Sequence, residues 1–385
     1  MTTSIFDVSM PHADAWVAFD ELDRADYYYG GTRMVPPQMR ETEVINILRR
    51  LMSEESAFKN HLINISLAEG VLSSYSQRVP AGFMDSKVGG ARCVIRPRDG
   101  NVSRILQDPS HPQFDQTVSD IFLYLGELLN KHRGLIKLTP DFGRYAGLAD
   151  ILERHTPHVL GIRCEAGGCG GKSSYAATGI MTALDMLGTR DYRTAPVTVI
   201  GSAGALGVDV TRYFTGDDFA DIAVCDLAYD SGEASPPDNA VMLASVINMF
   251  TNQCLGRGGL IVATTFGGEL ANSNWESIPP ETLLVLAHNL SVPPGEAGVS
   301  LMRRISSQSV RIIPGQLLTF GGALTSRLEW FWRQSRQGEP FDKELAHLVV
   351  RDVMKHLLTE VQNVEQATGV TTYEAMLAYA ASKKS

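Results

Sequence analysis

The sequence predicts an α/β protein of two domains, the second built on a doubly wound parallel sheet. Three observations carry that prediction. The chain has 385 residues, more than one hydrophobic core usually holds and suited to two domains. From about residue 150 onward, short β-branched runs alternate with helical stretches, the pattern of parallel strands joined by crossover helices. Within that region, Thr194-Ala-Pro-Val-Thr-Val-Ile-Gly-Ser-Ala-Gly-Ala-Leu-Gly207 reads as strand, glycine turn and helix, the opening of a Rossmann unit.

In the first half, Val44, Ile47, Leu48 and Leu51 recur at helical spacing over residues 41–58. Val118, Ile121, Phe122, Leu125, Leu128 and Leu129 do the same over residues 115–132. Strands are predicted at 92–95 and 135–138, and Arg78-Val-Pro-Ala-Gly-Phe83 breaks the pattern between them. Residues 1–149 are therefore expected to form a mixed α/β domain. Strands are next expected at 158–163, 197–200, 222–225, 259–263, 282–287 and 310–313, in a domain of residues 150–339. Leu345, Val349, Val353, Leu357 and Val361 then step by four along one helix. Such a stripe has to pack on something, and the helices of residues 340–385 are expected to return to the first domain.

The glycine turn carries the first chemical expectation. Gly201, Gly204 and Gly207 lead a β-branched strand into a helix, where the amides of Ser202, Ala205 and Leu206 can receive a pyrophosphate. The next strand ends in Asp226, about twenty residues on, where a carboxylate accepts from ribose hydroxyls and repels a 2′-phosphate. NAD is thereby favoured over NADP. Ser202 stands where the first glycine of G-x-G-x-x-G is usual. The plainer reading is a βαβ unit whose glycines serve only close packing.

Composition excludes several classes. The net charge is −9, from 43 acids and 34 bases, and no basic block points to nucleic acid or an anionic membrane. The N-terminal residues show no basic segment followed by an apolar run, and no stretch approaches the ~20 apolar residues that span a bilayer. Cys93, Cys164, Cys169, Cys225 and Cys254 show no C-x-x-C spacing, which suits a reducing cytoplasm. The nine histidines show no metal-ligand spacing, so no metal is expected.

Five stretches, in order, resemble the glutamate/leucine/phenylalanine/valine dehydrogenase family over most of the chain. Gly30-Gly-Thr-Arg-Met34 resembles the turn at the substrate site, and Val88-Gly-Gly-Ala-Arg92 the segment bearing the catalytic lysine. Leu138-Thr-Pro-Asp141-Phe-Gly143 resembles the segment of the catalytic aspartate. The glycine turn with Asp226 matches the cofactor fingerprint. Pro314-Gly-Gln-Leu-Leu-Thr-Phe-Gly-Gly-Ala-Leu-Thr-Ser326-Arg-Leu-Glu329 resembles the late stretch with an N-A-G-G core. The resemblance implies oxidative deamination of an L-amino acid, or reductive amination of its 2-oxo acid, with a nicotinamide. It also implies a cleft that closes on the reactants and a homo-oligomer assembled through the first domain.

The residues doing chemistry depart from the family. Arg92 stands where the lysine is expected, and a guanidinium can anchor an anion but cannot act as a base. Lys59 resembles the carboxylate-binding lysine if the chain carries an insertion over residues 62–80; otherwise Tyr75-Ser76 occupies that place. Lys87 and Lys172 are candidate substitutes for the missing ammonium. Asp141 is unchanged and is expected to shuttle protons. Ala176 replaces a usual threonine, and His288 precedes Asn289 where the family has two asparagines. Thr319 and Phe320 replace the Asn-Ala of the late core. Thr265, Asn289 and Thr319 are expected at the cofactor, and Tyr29, Gly30, Gly31, Ser326 and Phe320 at the substrate. Tyr29 takes the place of the lysine with which glutamate-using members hold a side-chain carboxylate, so an apolar or aromatic substrate is expected.

Two other readings stay open. Ala166-Gly-Gly-Cys-Gly-Gly-Lys172-Ser173 nearly matches a P-loop, with Lys172 on the phosphates and Asp226 as the acid of an NTPase. Alternatively, the chain is a nucleotide-binding pseudoenzyme that keeps the fold and has lost deamination.

Overall fold

The computed structural model describes residues 3–20, 24–142, 145, 147–216 and 219–383; Gly143, the end of the aspartate stretch, lies outside them. The chain divides into two compact units, Met1–Lys172 with Ala323–Ala346, and Ser173–Gly322 with His347–Ser385.

The first unit holds strands β1 (Thr3–Ser9), β2 (Ala13–Asp20), β3 (Tyr27–Met34), β4 (Val88–Pro97) and β5 (Ile136–Thr139) in the order β1-β2-β4-β3-β5. β1, β2 and β4 are antiparallel neighbours, whereas β3 lies parallel to both β4 and β5. The helical pattern over 115–132 is the helix Phe114–Lys131. It packs Val118, Ile121, Phe122 and Leu125 against Cys93, Ile95, Ile136 and Leu138 on one face of the sheet. Because side chains alternate, Tyr27, Tyr29, Gly31, Val88, Gly90, Arg92, Lys137 and Thr139 share the other face. The predicted helix over 41–58 runs on to Ala68, and its middle turn, Leu51–Ala57, widens into a π-helix.

The sequence pattern did not disclose β1, β2 or β3. β2 and β3 are buried along almost their whole length, and a strand covered on both faces has no polar–apolar alternation. The strand expected at 158–163 is reduced to one bridge between Val159 and Leu138. Gly161 has φ +89°, and the amides of Gly161 and Ile162 donate to the Glu329 carboxylate at 2.8–3.3 Å instead of to a strand. That carboxyl is fully buried, and burial holds its pKa above the usual carboxylate range. Residues 150–172 thus belong with the first unit rather than with the parallel sheet.

The second unit holds β6 (Pro196–Ile200), β7 (Asp221–Cys225), β8 (Val241–Leu243), β9 (Leu260–Ala263), β10 (Leu283–Leu286) and β11 (Arg311–Ile313). All neighbours are parallel and the order is β11-β10-β9-β6-β7-β8, with the first strand at the centre. This is the Rossmann order, and its switch point lies between β6 and β9. The C-terminal stripe is buried as expected, but from His347 onward it packs in the second unit, not the first. Arg311 of β11 pairs with Glu365 at 3.1 Å and Arg303 with Glu374 at 2.6 Å, but both arginines are exposed, so these pairs add little to the apolar packing that holds the last two helices in the second unit. An apolar stripe states only that a face is wanted, not which one. No helix among the described residues is long and apolar enough to cross a membrane.

Lys137 gives the first unit a measurable pH dependence. It is 3% exposed, with Nζ 4.0 Å from the Tyr27 ring centre, 3.9 Å from that of Trp330, and donating to the Gly134 carbonyl at 2.6 Å. Burial lowers its pKa to about 7. An unfolded lysine titrates near ~10.4. Between those values the unfolded chain binds the extra proton, so stability rises with pH by up to about 1.4 kcal/mol per unit, and below pH 7 the cost of the buried charge is fully present. Lys137→Met should flatten this slope in denaturant titrations at pH 7, 8 and 9. Parallel slopes for the two proteins would show that Lys137 keeps its proton throughout.

Candidate active site

The exposed end of the second face in the first unit gathers the chemistry. Asp141 follows β5, and its Oδ1 accepts from the Thr32 amide at 2.6 Å. Its Oδ2 lies 3.5 Å from the Lys172 ammonium. A Cβ on Gly31 would stand 2.5 and 2.6 Å from the two Asp141 oxygens and 2.8 Å from an Arg92 Nη, so only glycine lets carboxylate and guanidinium close over β3. Asp141 remains 35% exposed, and the buried Nε of Arg92 has no hydrogen-bond partner among the described residues. The site therefore keeps a reachable carboxylate.

Lys59 belongs to the same group of charges. It is 8% exposed and pairs with the fully buried Glu55 at 2.8 Å, one helical turn back. Burial lowers its pKa, Glu55 counters that, Arg92 lowers it further and Asp141 raises it. The helix carrying Glu55 and Lys59 lies against β3 and β4, where a Cβ on Gly30 would meet the Ser56 hydroxyl and one on Gly90 the Ala57 backbone. Glu55 was not singled out from sequence, although an acid four residues before a lysine on a helix is a readable signal.

The Tyr29 hydroxyl donates to Ser326 Oγ at 2.6 Å, lies 3.0 Å from Thr139 Oγ1 and accepts from Lys172 at 3.4 Å. Burial opposes the charge of Lys172, but the Tyr29 oxygen and the Asp141 carboxylate outweigh it and raise the ammonium's pKa above the ordinary lysine value. Lys172 is thus a fixed cation near neutral pH. Thr139 was missed by sequence; standing two residues before Asp141, it shares that residue's face by strand alternation alone. The first unit therefore brings together Tyr29, Gly30, Gly31, Arg92, Asp141, Lys172 and Ser326. Phe320 is a correction: it lies in the second unit with no exposed surface, so its ring fills core and offers nothing to a substrate.

The P-loop reading finds no support in this geometry. The amides of Gly167, Gly168 and Gly170 donate to the carbonyls of Cys164, Arg163 and Ile162, so these three are not turned toward a phosphate. No strand of the parallel sheet leads into that loop, and Lys172 faces Tyr29 and Asp141.

In the second unit, the helix Ala205–Gly216 starts directly after the glycine turn. A Cβ on Gly207 would meet the Gly201 carbonyl oxygen at 2.0 Å, so the helix leans on the turn as a dinucleotide requires. The first amides of that helix lack intrahelical acceptors. Asp226 ends β7, accepting from the Ala203 amide and from the Ala228 amide, both at 2.9 Å. Each carboxylate oxygen keeps a second lone pair for a ribose hydroxyl. Thr265 follows β9 with its Oγ1 buried and without a partner among the described residues. Asn289 follows β10 beside the buried His288, whose Nδ1 lies 3.0 Å from the Ala263 carbonyl. The Thr319 hydroxyl donates to Gly315 at 2.7 Å. The turn, Thr265 and Asn289 thus stand at the carboxyl ends of β6, β9 and β10, and these residues fit a dinucleotide.

No protein-family model matches the chain, and no curated protein matches it in sequence. Solved structures do match. L-tryptophan dehydrogenase from Nostoc punctiforme aligns with a TM-score of 0.60 at 14% identity, over 98% of this chain and 94% of that one. The hetero-hexameric glutamate dehydrogenase from Thermus thermophilus, in a leucine-bound form, aligns with a TM-score of 0.69 at 15% identity, over 98% and 87%. Glutamate dehydrogenase from Peptoniphilus asaccharolyticus aligns with a TM-score of 0.60 at 15% identity, over 98% and 88%. The chain has the fold of these amino-acid dehydrogenases, the one the five sequence stretches resemble.

Gly207→Ala tests the turn. The added methyl must push helix from strand, costing about 1–3 kcal/mol of stability. NAD affinity measured by calorimetry should fall at least tenfold. Unchanged affinity would remove the turn from the cofactor site.

Proposed function

We propose that the protein is an NAD-dependent oxidoreductase that interconverts an L-amino acid and its 2-oxo acid. The observation carrying this reading is the Asp141 carboxylate set against Arg92 and Lys172 over Gly31, in a chain with an amino-acid dehydrogenase fold. Arg92 is the anchor for the α-carboxylate, a task suited to a planar guanidinium whose Nη stands over Gly31 beside Asp141. Asp141, partly exposed, carries protons to and from the amine. Lys172 supplies a permanent positive charge for the oxyanion that develops when water adds to the substrate. Lys59 is neutralised by its pair with Glu55 and holds the helix rather than transferring protons.

The amides of Ala205, Leu206 and Gly207, the first of their helix, would hold the pyrophosphate, with Gly201, Ser202 and Gly204 shaping the turn beneath it, and Asp226 would hold the ribose. Thr265, Asn289 and Thr319 would line the nicotinamide end. The nicotinamide, when bound, takes up or gives the hydride. The substrate side chain is apolar or aromatic. Asp141 balances Lys172 and Glu55 balances Lys59, so a second substrate carboxylate would find no free counter-charge at these two lysines. Assembly as a homo-oligomer is part of the same reading.

A second reading rests on Arg92, which cannot shed a proton, and on Lys172, which stays charged. Here the protein binds NAD and performs no deamination. Calorimetry with NAD, then NADH absorbance with ammonia and a panel of aliphatic, aromatic and acidic 2-oxo acids, separates the two. Turnover is expected, with a preference for apolar or aromatic acids. Asp141→Asn should lower kcat by about 10²–10⁴-fold and leave NAD affinity unchanged. NAD binding without any turnover would favour the second reading.

A further inference from the structure

We propose that Tyr29 is a positioning residue for Lys172: its hydroxyl, locked by Ser326 and Thr139, fixes the ammonium beside Asp141 and leaves one N–H for the reacting oxygen of the substrate. This rests on the reading of Lys172 as the ammonium that replaces the missing lysine.

A phenolic oxygen has one proton and two places for a donor. The 2.6 Å contact to Ser326 takes the proton. Thr139, at 3.0 Å, must then donate to Tyr29, and Lys172 at 3.4 Å takes the second acceptor place. No capacity remains for a substrate, so Tyr29 acts through Lys172 and not on the reactant.

The phenol is also rigid. Tyr29 is 3% exposed, and its ring packs in a buried cluster with Tyr27, Val88 and Leu160, against Trp330 and Phe331. Lys172, by contrast, hangs on a flexible four-carbon stem after Gly170 and Gly171. Its ammonium lies 6.0 Å from the Tyr29 ring centre, so the link runs through the oxygen rather than the ring face. Of its three N–H groups, one goes to Tyr29 and one to Asp141. The third has no protein partner among the described residues. A sequence comparison reads Tyr29 as a wall of the side-chain pocket; its hydroxyl geometry makes it a strut for the cation.

Tyr29→Phe keeps the ring and removes only the hydroxyl. The variant should lower kcat about ten- to hundredfold, the size of one hydrogen bond to a charged group, and change KM for the 2-oxo acid less than threefold. Combined with Lys172→Met it should be no worse than Lys172→Met alone, because both remove the same element. A structural role for Tyr29 would instead add to the loss.

A readout independent of turnover is the NMR titration of ¹³C-labelled lysine, with the Lys172 signal assigned by its absence in Lys172→Met. Lys172 should titrate at lower pH in Tyr29→Phe than in the parent protein. If Tyr29→Phe fails to fold, Ser326→Ala and Thr139→Val should shift the same signal in the same direction. An unmoved Lys172 titration overturns the proposal, whatever the activity. A shifted titration in a protein that turns over no 2-oxo acid sustains the positioning role and refutes the dehydrogenase reading.

Discussion

The hydrogen bond from the Thr32 amide to Asp141 is the constraint on which the first unit's site depends. It holds a carboxylate flat over β3, where the absent side chain of Gly31 leaves room. With the carboxylate there, Arg92 can approach from the neighbouring strand and Lys172 from the far side without mutual repulsion deciding the geometry. A single methyl on Gly31 would collide with both the acid and the guanidinium. Close approach of backbone and charge, rather than any one catalytic group, therefore defines the site.

The buried charges around it are each held by a different means. Glu55 and Lys59 neutralise one another within one helix. Glu329 has backbone amides of the segment after β5, which it binds in place of a strand ladder. Arg327 has the Phe83 carbonyl, the Asn64 side chain and the Ser86 carbonyl, and burial lowers its pKa to about 10. Lys137 has two aromatic faces and one carbonyl, and burial lowers its pKa to about 7. Because a buried polar group without partners costs about 1–3 kcal/mol, these arrangements restrict the backbone around the site as firmly as apolar packing does.

In the second unit the corresponding constraint is the contact of Gly207 with the Gly201 carbonyl, which brings the helix beginning at Ala205 against the end of β6. Asp226 then does two jobs. It caps the short helix after β7 and ties back to Ala203 in the turn, so the acid expected at the ribose is oriented before any ligand arrives. Such preorganisation lowers the ordering cost of binding.

The glycine turn, the Asp226 strand and β9, β10 and β11 were legible in the sequence because they are local, whereas the three-residue edge strand β8 was not. A strand of four to six residues, a turn needing glycine and a helix with one apolar face each leave a periodic mark. So was Asp141, through the short stretch around it. β2 and β3 were not legible, since burial on both faces erases alternation. The shortened strand at 158–163 was decided by a group distant in the chain, Glu329 taking two amides, and the unit in which the last helices pack and the burial of Phe320 by apolar packing with residues far along the chain. The link between Tyr29 and Lys172 spans 143 residues. The sequence by itself determined which residue types and which local elements this protein has. Only the tertiary structure decided which of its cations meets the carboxylate, because long-range pairing depends on which buried donors and acceptors remain unsatisfied once the sheets have formed.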